Sequence, residues 1–279
     1  MFEVFLRHNY AMQVLIPYIV VVFIYLAVAA DFWRGAKTPS NTNSLKLHSA
    51  LIALGLVVHS GLLYQDIIKN GFNLGFFNAL SAIFWLTVLI YWIADLQHRL
   101  TSLQAFVLPP AAIFALLPAF NSNSHYLPVD ESALFLLHIA IALLAYSLFT
   151  FAALHALLMA IAERSLHHKP TIIKLPSFPP LMVMENLLFR VISLGFILLT
   201  ITELSGILFS EQIFSKPMQI NHKTIFSIAS WFIYGGLLFG RYQYGWRGLK
   251  AIRWTLAGFA LLLLAYVGSK FIIEVLLHR

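Results

Sequence analysis

The stretch LFLLHIAIALLAYSLFTFAALHALLMAIA, residues Leu134–Ala162, decides the fold class of this chain. Its 29 residues include no Asp, Glu, Lys or Arg. A helix of ~20 apolar residues is enough to cross the hydrocarbon core of a bilayer. The stretch therefore predicts a transmembrane helix that is either tilted or long enough to project beyond the membrane.

Eight apolar stretches occur along the chain, each bounded by charged residues, Pro, Gly or Asn. They are Leu15–Ala30, His48–Tyr64, Phe76–Ile93, Leu103–Phe120, Leu134–Ala162, Leu187–Phe209, Ile225–Phe239 and Ile252–Val275. The fourth contains Pro109-Pro110, which a bundle helix tolerates when its neighbours satisfy the freed carbonyls. Eight spans leave no room for a soluble domain in 279 residues. We therefore predict an all-α fold, a polytopic transmembrane helical bundle of about eight helices that forms a single domain over residues 1–279.

The composition supports a lipid environment. The chain is 60% hydrophobic and 10% charged, with a mean hydropathy of +0.83, whereas soluble domains carry ~25% charged residues. The net charge of +7 could indicate a nucleic-acid binder, but the charges are spread thinly between apolar runs. We therefore expect the lipid bilayer as a partner and no nucleic acid. The chain has no cysteine, which excludes disulfides, thiolate metal sites and thiol–disulfide exchange.

The loop charges predict an orientation. When the eight spans are threaded alternately, twelve of the 18 Lys and Arg residues fall on one side of the membrane and six on the other. Cytoplasmic loops carry the excess of Lys and Arg. This bias predicts a multi-pass protein of the bacterial inner (plasma) membrane with both termini periplasmic.

Polar residues inside the spans are the candidates for function, because burying them in hydrocarbon is costly. Four such residues fall in the predicted outer half of the membrane or at its outer edge: His59, His138, Glu203 and His222. His59 and His138 lie on different helices, each about five residues from the outer end. Two imidazoles at matched depth could bind one metal axially, and haem iron is commonly held by His. His59 and His138 are therefore candidate metal ligands.

Each candidate also has a structural alternative. An intramembrane His can be a hydrogen-bonding residue between helices. Glu203 can be a protonated carboxyl bonded to a neighbouring helix, and His222 can be solvated near its loop. The sequence shows no zinc-ligand spacing, phosphate loop, nucleophile elbow or paired-carboxylate arrangement. We therefore predict no catalytic residues.

Several segments of the second half carry a specific pattern. Leu136–Ala140, followed by Leu144-Ala145-Tyr146, places a histidine at the start of a helix that continues to an Ala-Tyr pair. The other segments are Phe196–Ile201 with Ser205-Gly206, Trp231–Tyr234, Tyr244–Gly248 and Tyr266–Gly268, with Gly71–Leu74 as a weaker match. On these residues the chain resembles the cytochrome c assembly family, and within it the shorter HemX-like and YpjD-like inner-membrane branch. The resemblance covers most of the chain and is strongest from Leu134 onward.

The resemblance implies haem as the cofactor, with departures. Haem-delivery members carry a tryptophan-rich motif in the external loop after the sixth helix, but Phe209–Met218 contains no Trp. A transmembrane histidine of those members corresponds to about Phe239 here, and His278 is only a loose counterpart of their last external histidine. The resemblance therefore does not imply the whole four-histidine set. It leaves His138, together with His59, which resembles the HemX-like pattern.

The expected function is a multi-pass accessory in haem handling or c-type cytochrome assembly. It would hold or pass haem, or assist cytochrome c maturation proteins, without forming thioether bonds itself. His59, His138, Glu203 and His222 are its expected cofactor-binding residues. The alternative is a cofactor-free regulatory or scaffold membrane protein that acts through basic cytoplasmic loops, for example on an enzyme of tetrapyrrole synthesis. Those loops, 164–174 and 241–253, could equally serve as orientation signals and anionic-lipid contacts.

Overall fold

The computed structural model describes residues 2–35, 42–69, 72–98, 100–120, 133–167, 180–210 and 221–268. These residues form eight α-helices. The helices are α1 (Phe2–Gly35), α2 (Thr42–Leu63), α3 (Phe76–His98), α4 (Gln104–Leu116), α5 (Ala133–His167), α6 (Leu181–Leu208), α7 (His222–Tyr244) and α8 (Gly248–Leu263). Two π-helical turns extend α2 and α8, at Tyr64–Ile68 and Leu264–Gly268. The predicted all-α, polytopic fold of about eight helices is confirmed.

Within the described ranges, six segments are long and apolar enough to cross a membrane by length and composition. They are Leu45–Lys69, Phe76–Gln97, Ala133–Arg164, Leu181–Leu208, His222–Tyr244 and Gly248–Tyr266. Two further apolar segments are shorter, at Leu15–Asp31 and Gln104–Phe120. Helices are the expected form of these segments because lipid offers no hydrogen bonds, so each backbone group must be satisfied within its own helix.

Most helices extend beyond the apolar stretches that predicted them. α1 runs over Phe2–Gly35 instead of Leu15–Ala30, and α6 begins at Leu181 instead of Leu187. The apolar pattern marks the part of a helix that lies in hydrocarbon, whereas the backbone hydrogen bonds continue into the polar ends. α4 continues through Pro109 and Pro110. The predicted end of the last span, Val275, lies outside the described residues.

The helices group into two compact units, α1–α4 and α5–α8. In the first unit α1 packs against α2 and α4, and α3 packs against the same two helices. In the second unit α5 packs against α6 and α8, and α7 packs against the same two helices. Each unit is thus a closed set of four helices in which every helix has two neighbours. The expectation of a single domain over residues 1–279 stays a prediction.

The centre of the second unit shows how its four helices approach each other. The rings of Phe149 on α5 and Tyr234 on α7 stack with centroids 4.0 Å apart. Glycines on the other two helices face these rings, because a Cβ on Gly195 would lie 3.1 Å from Phe149 and one on Gly258 would lie 2.9 Å from Tyr234. Small residues at membrane helix interfaces permit such close packing.

Candidate functional site

The last turns of α6 carry a set of polar side chains that bond to both neighbouring helices. We call His138, Thr200, Glu203, Ser205 and Ser227 the α6 polar cluster. His138 belongs to α5, Ser227 belongs to α7, and the other three belong to α6. All five residues lie in the second unit.

His138 is held against α6 by Ser205. Its Nδ1 lies 2.8 Å from the Ser205 hydroxyl, and that hydroxyl donates to the Thr202 carbonyl at 3.0 Å. When the hydroxyl proton is on the Thr202 carbonyl, the Ser205 oxygen can accept from a His138 that carries its proton on Nδ1. In neutral imidazole the other nitrogen then carries the lone pair. The arrangement suits the tautomer of His138 with the proton on Nδ1 and the lone pair on Nε2.

Glu203 bonds on the other side of α6. Its carboxylate accepts a hydrogen bond from the Ser227 hydroxyl of α7. Three residues earlier on α6, the Thr200 hydroxyl accepts from the indole N–H of Trp231 at 2.8 Å. The pairs Glu203–Ser227 and Thr200–Trp231 run in opposite directions along the two helices, as antiparallel neighbours require. Glu203 thus has a polar partner on a neighbouring helix. This is the arrangement of the structural alternative, in which its carboxyl is bonded to a neighbouring helix.

His138 and Glu203 do not form one site through direct contact. Residues two positions apart on a helix point to nearly opposite faces. Ser205 and Glu203 are two positions apart on α6, so Ser205 faces α5 and Glu203 faces α7. The cluster is therefore a polar layer that ties three helices together, with the histidine at one side.

His59 lies in the first unit and is fully enclosed there, with an exposed fraction of 0%. Its Nδ1 lies 3.4 Å from the hydroxyl of Tyr25 on α1. Its Nε2 lies 2.9 Å from the hydroxyl of Ser81 on α3. Both ring nitrogens therefore have partners inside the unit, and His59 joins α2 to α1 and α3. That His59 and His138 ligate one metal stays a prediction.

His222 is the first residue of α7 and is exposed. The preceding residue, Asn221, caps the helix by accepting from the Thr224 backbone N–H at 3.2 Å. Ser227 lies five residues further along α7, which is ~7–8 Å along a helix. Because Ser227 meets Glu203 near the end of α6, His222 lies at the same end of the second unit as His138.

Among the described residues, no group of three or more His, Asp and Glu side chains is placed to hold a metal ion. The described residues therefore form no metal site of three or more such ligands. The geometry around His138 is that of a single imidazole, which can bind a metal that a larger ligand already carries.

Some contacts of this region carry no sequence signal. Ser205 follows Thr202 within the segment on which the family resemblance rests, but nothing in the sequence pairs it with His138. Ser227, Tyr25 and Ser81 lie in apolar stretches that contain other hydroxyl residues, and nothing in the sequence distinguishes them. A further buried imidazole contact, from His155 Nε2 to the Met184 carbonyl at 2.8 Å, also joins two helices without any sequence pattern.

The fold and these contacts define a polytopic all-α membrane protein whose apolar helices are joined by buried and half-buried polar side chains. Residues 47–277 match the family model described as Cytochrome C assembly protein. Because the match covers most of the chain, the chain belongs to the cytochrome c assembly family.

Relatives of two kinds are similar to the chain. Inner membrane protein YpjD of Escherichia coli (strain K12) is 32% identical over 227 residues, covering 80% of this chain and 84% of the relative. Cytochrome c biogenesis protein CcsA of Synechococcus sp. (strain RCC307) is 21% identical over 273 residues, covering 88% of each chain. An uncharacterized 28.8 kDa protein of Azospirillum brasilense is 33% identical over 141 residues, 50% of this chain and 52% of the relative.

Proposed function

We propose that this protein is an inner-membrane accessory in haem handling or c-type cytochrome assembly, and that His138 is the residue that binds haem as cargo. The observation that carries the proposal is the chain of hydrogen bonds from His138 through Ser205 to the Thr202 carbonyl. It suits the tautomer with the lone pair on Nε2, and haem iron is commonly held by an imidazole. The family and the name of the CcsA relative support the link to cytochrome c biogenesis.

The residues around His138 fit haem as a ligand. A metal-binding His almost always donates its other ring N–H to an oxygen acceptor, which fixes the ring orientation. The Ser205 hydroxyl is such an acceptor, 2.8 Å from Nδ1. The ring is half-buried, and the neighbouring Leu134 and Leu137 are 49% and 56% exposed. An apolar surface of this kind suits the face of a macrocycle.

His59 fits haem less well than His138. To bind iron, the His59 ring would have to give up its contact with either Tyr25 or Ser81. The ring also has no exposed surface that a haem could reach. We therefore assign His59 to helix packing in this proposal and place a single histidine ligand at His138. One protein ligand suits a cargo that has to be released again.

Glu203 and His222 complete the proposal with different roles. Glu203 connects α6 to α7 through Ser227, at the end of α6 that also carries Ser205. His222 is exposed at the same end of the unit, where it could meet an anionic substituent of the bound macrocycle.

The proposal is tested by absorption spectra of the purified full-length protein titrated with haem. We expect haem bound to the parent to give a red-shifted Soret band. His138→Ala should weaken binding by at least about tenfold, corresponding to ~1.4 kcal/mol. His59→Ala should retain the spectrum but reduce the yield of folded protein. Ser205→Ala should alter the spectrum more than Ser205→Thr, because threonine keeps the acceptor oxygen.

The same haem titration distinguishes the haem proposal from the alternative function, a cofactor-free scaffold. Exposed Arg247, Lys250 and Arg253 at the start of α8 are the observation that favours a cofactor-free scaffold. A parent protein that binds no added haem, or a His138→Ala variant with unchanged affinity, would refute the haem proposal and favour the scaffold.

A further inference from the structure

A groove opens between α7 and α8, away from the α6 polar cluster. It is lined by Ile233, Arg253, Trp254 and Ala257 and has a volume of about 270 Å³. The lining is almost wholly apolar apart from the arginine head group. All four residues belong to the second unit.

Small residues create this depression. A Cβ on Gly236 of α7 would lie 3.1 Å from the Trp254 ring, so the indole lies directly against the α7 backbone there. Ala257 lies three residues after Trp254 on α8 and is exposed. Because neither Gly236 nor Ala257 has a bulky side chain, the space between the helices above Trp254 stays open.

The charge beside the groove is positive. Arg253 is exposed, and among the described residues no carboxylate forms an ion pair with it. Arg247, in contrast, lies 3.7 Å from Glu185. Lys250, one turn before Arg253, lies 3.7 Å above the Trp246 ring. The groove therefore combines an apolar floor with a cation that the described residues do not neutralise.

The position along the helix matches a membrane interface. Arg253 lies five residues from the start of α8 at Gly248, which is ~7–8 Å along a helix. Trp246 and Trp254 lie at the same end, with ring centroids 4.9 Å apart. Tryptophan is enriched where the hydrocarbon core meets the head groups, and a long basic side chain at that depth reaches the interface.

We propose that this groove is a binding site for an anionic phospholipid, with one acyl chain along Ile233, Trp254 and Ala257 and the phosphate against Arg253. Lys250 contributes to the same positive field. Pockets that enclose whole small molecules measure ~300–1,000 Å³, so a groove of about 270 Å³ suits a single chain instead of a macrocycle. The proposal does not depend on haem binding.

Native mass spectrometry of the full-length protein in detergent, with added phosphatidylglycerol or phosphatidylcholine, tests the site. The parent should retain phosphatidylglycerol in preference to phosphatidylcholine. Arg253→Gln should weaken phosphatidylglycerol retention about fivefold, the loss expected of one basic residue at an anionic surface. Arg190→Gln, an exposed arginine of α6 in the same unit, is the matched control and should retain the lipid as the parent does.

A second variant tests the acyl-chain part. Ala257→Phe fills the groove at an exposed position without changing charge, and it should reduce retention of phosphatidylglycerol by a similar factor. Inorganic phosphate should not displace the lipid, because it lacks the chain. Equal retention of both lipids by the parent, or parent-like retention by either Arg253→Gln or Ala257→Phe, would overturn the proposal.

Discussion

Tyr25 and Gly55 show how a single residue determines packing in the first unit. A Cβ on Gly55 would lie 2.6 Å from Cε1 of Tyr25, and the tyrosine is itself fully buried. The Tyr25 hydroxyl lies 3.4 Å from His59 Nδ1, one helical turn from Gly55. The missing side chain of Gly55 therefore allows α1 to approach α2 closely enough for this contact.

We predict that Gly55→Ala destabilises the protein by about 1–3 kcal/mol, the range for overpacked cores. The tyrosine ring cannot move without losing its place beside His59. The apparent melting temperature of the purified protein in detergent measures the effect. Gly61→Ala is the matched control on the same helix, because a Cβ there meets nothing within 4 Å. Equal melting temperatures for the two variants would contradict the close approach.

The turn between α7 and α8 is fixed by contacts with a third helix, α6. α7 ends at Tyr244 and is capped by Gly245, whose φ of 63° is left-handed and whose N–H donates to the Arg241 carbonyl at 3.1 Å. Arg241 also donates to the Trp246 carbonyl at 3.2 Å and to Glu185 on α6. Its guanidinium lies 4.6 Å from the centroid of the Phe189 ring. One arginine therefore connects the turn to α6.

We predict that Glu185→Gln lowers stability by about 1–3 kcal/mol, because removing one partner of a half-buried ion pair leaves the other charge without its compensating hydrogen bond. The Glu185 and Arg241 side chains are only 13% and 23% exposed. Thermal unfolding of the purified protein measures the loss. The double variant Glu185→Gln/Arg241→Gln should lose less than the single variant, since it leaves no half-buried charge unpaired; Arg247, the other partner of Glu185, is 63% exposed. Additive losses would show that the two side chains are not coupled.

At the scale of the whole molecule, we predict that all eight helices cross the membrane, so that both ends of the chain lie on the same side. The excess of Lys and Arg in alternate loops predicts that this side is periplasmic. Reporter fusions after Arg279 and within residues 163–176 should therefore report opposite faces, with the Arg279 fusion outside. A fusion at Arg279 that reports the cytoplasm would mean that one predicted span does not cross, and the short α4 segment would be the first to test.

The sequence by itself determined the class of fold, the number of helices and the polar residues within the spans that are candidates for function. Low charge and long apolar runs are sufficient for this, because lipid leaves helices as the way to satisfy the backbone. Helix ends were predicted less well, as at Leu181, because helical hydrogen bonding continues where the apolar pattern stops. His138 and Glu203 were identified because polar residues are costly within hydrocarbon.

Only the tertiary structure decided which partner each polar residue has. His59 and His138 look alike in sequence, yet one is enclosed between Tyr25 and Ser81 and the other is oriented by Ser205. Hydrogen-bond partners lie on other helices, at separations such as 67 residues for His138 and Ser205. Local pattern contains no information about which faces of two helices meet. That choice depends on side-chain packing, and small residues such as Gly55 and Gly236 decide it by allowing close approach.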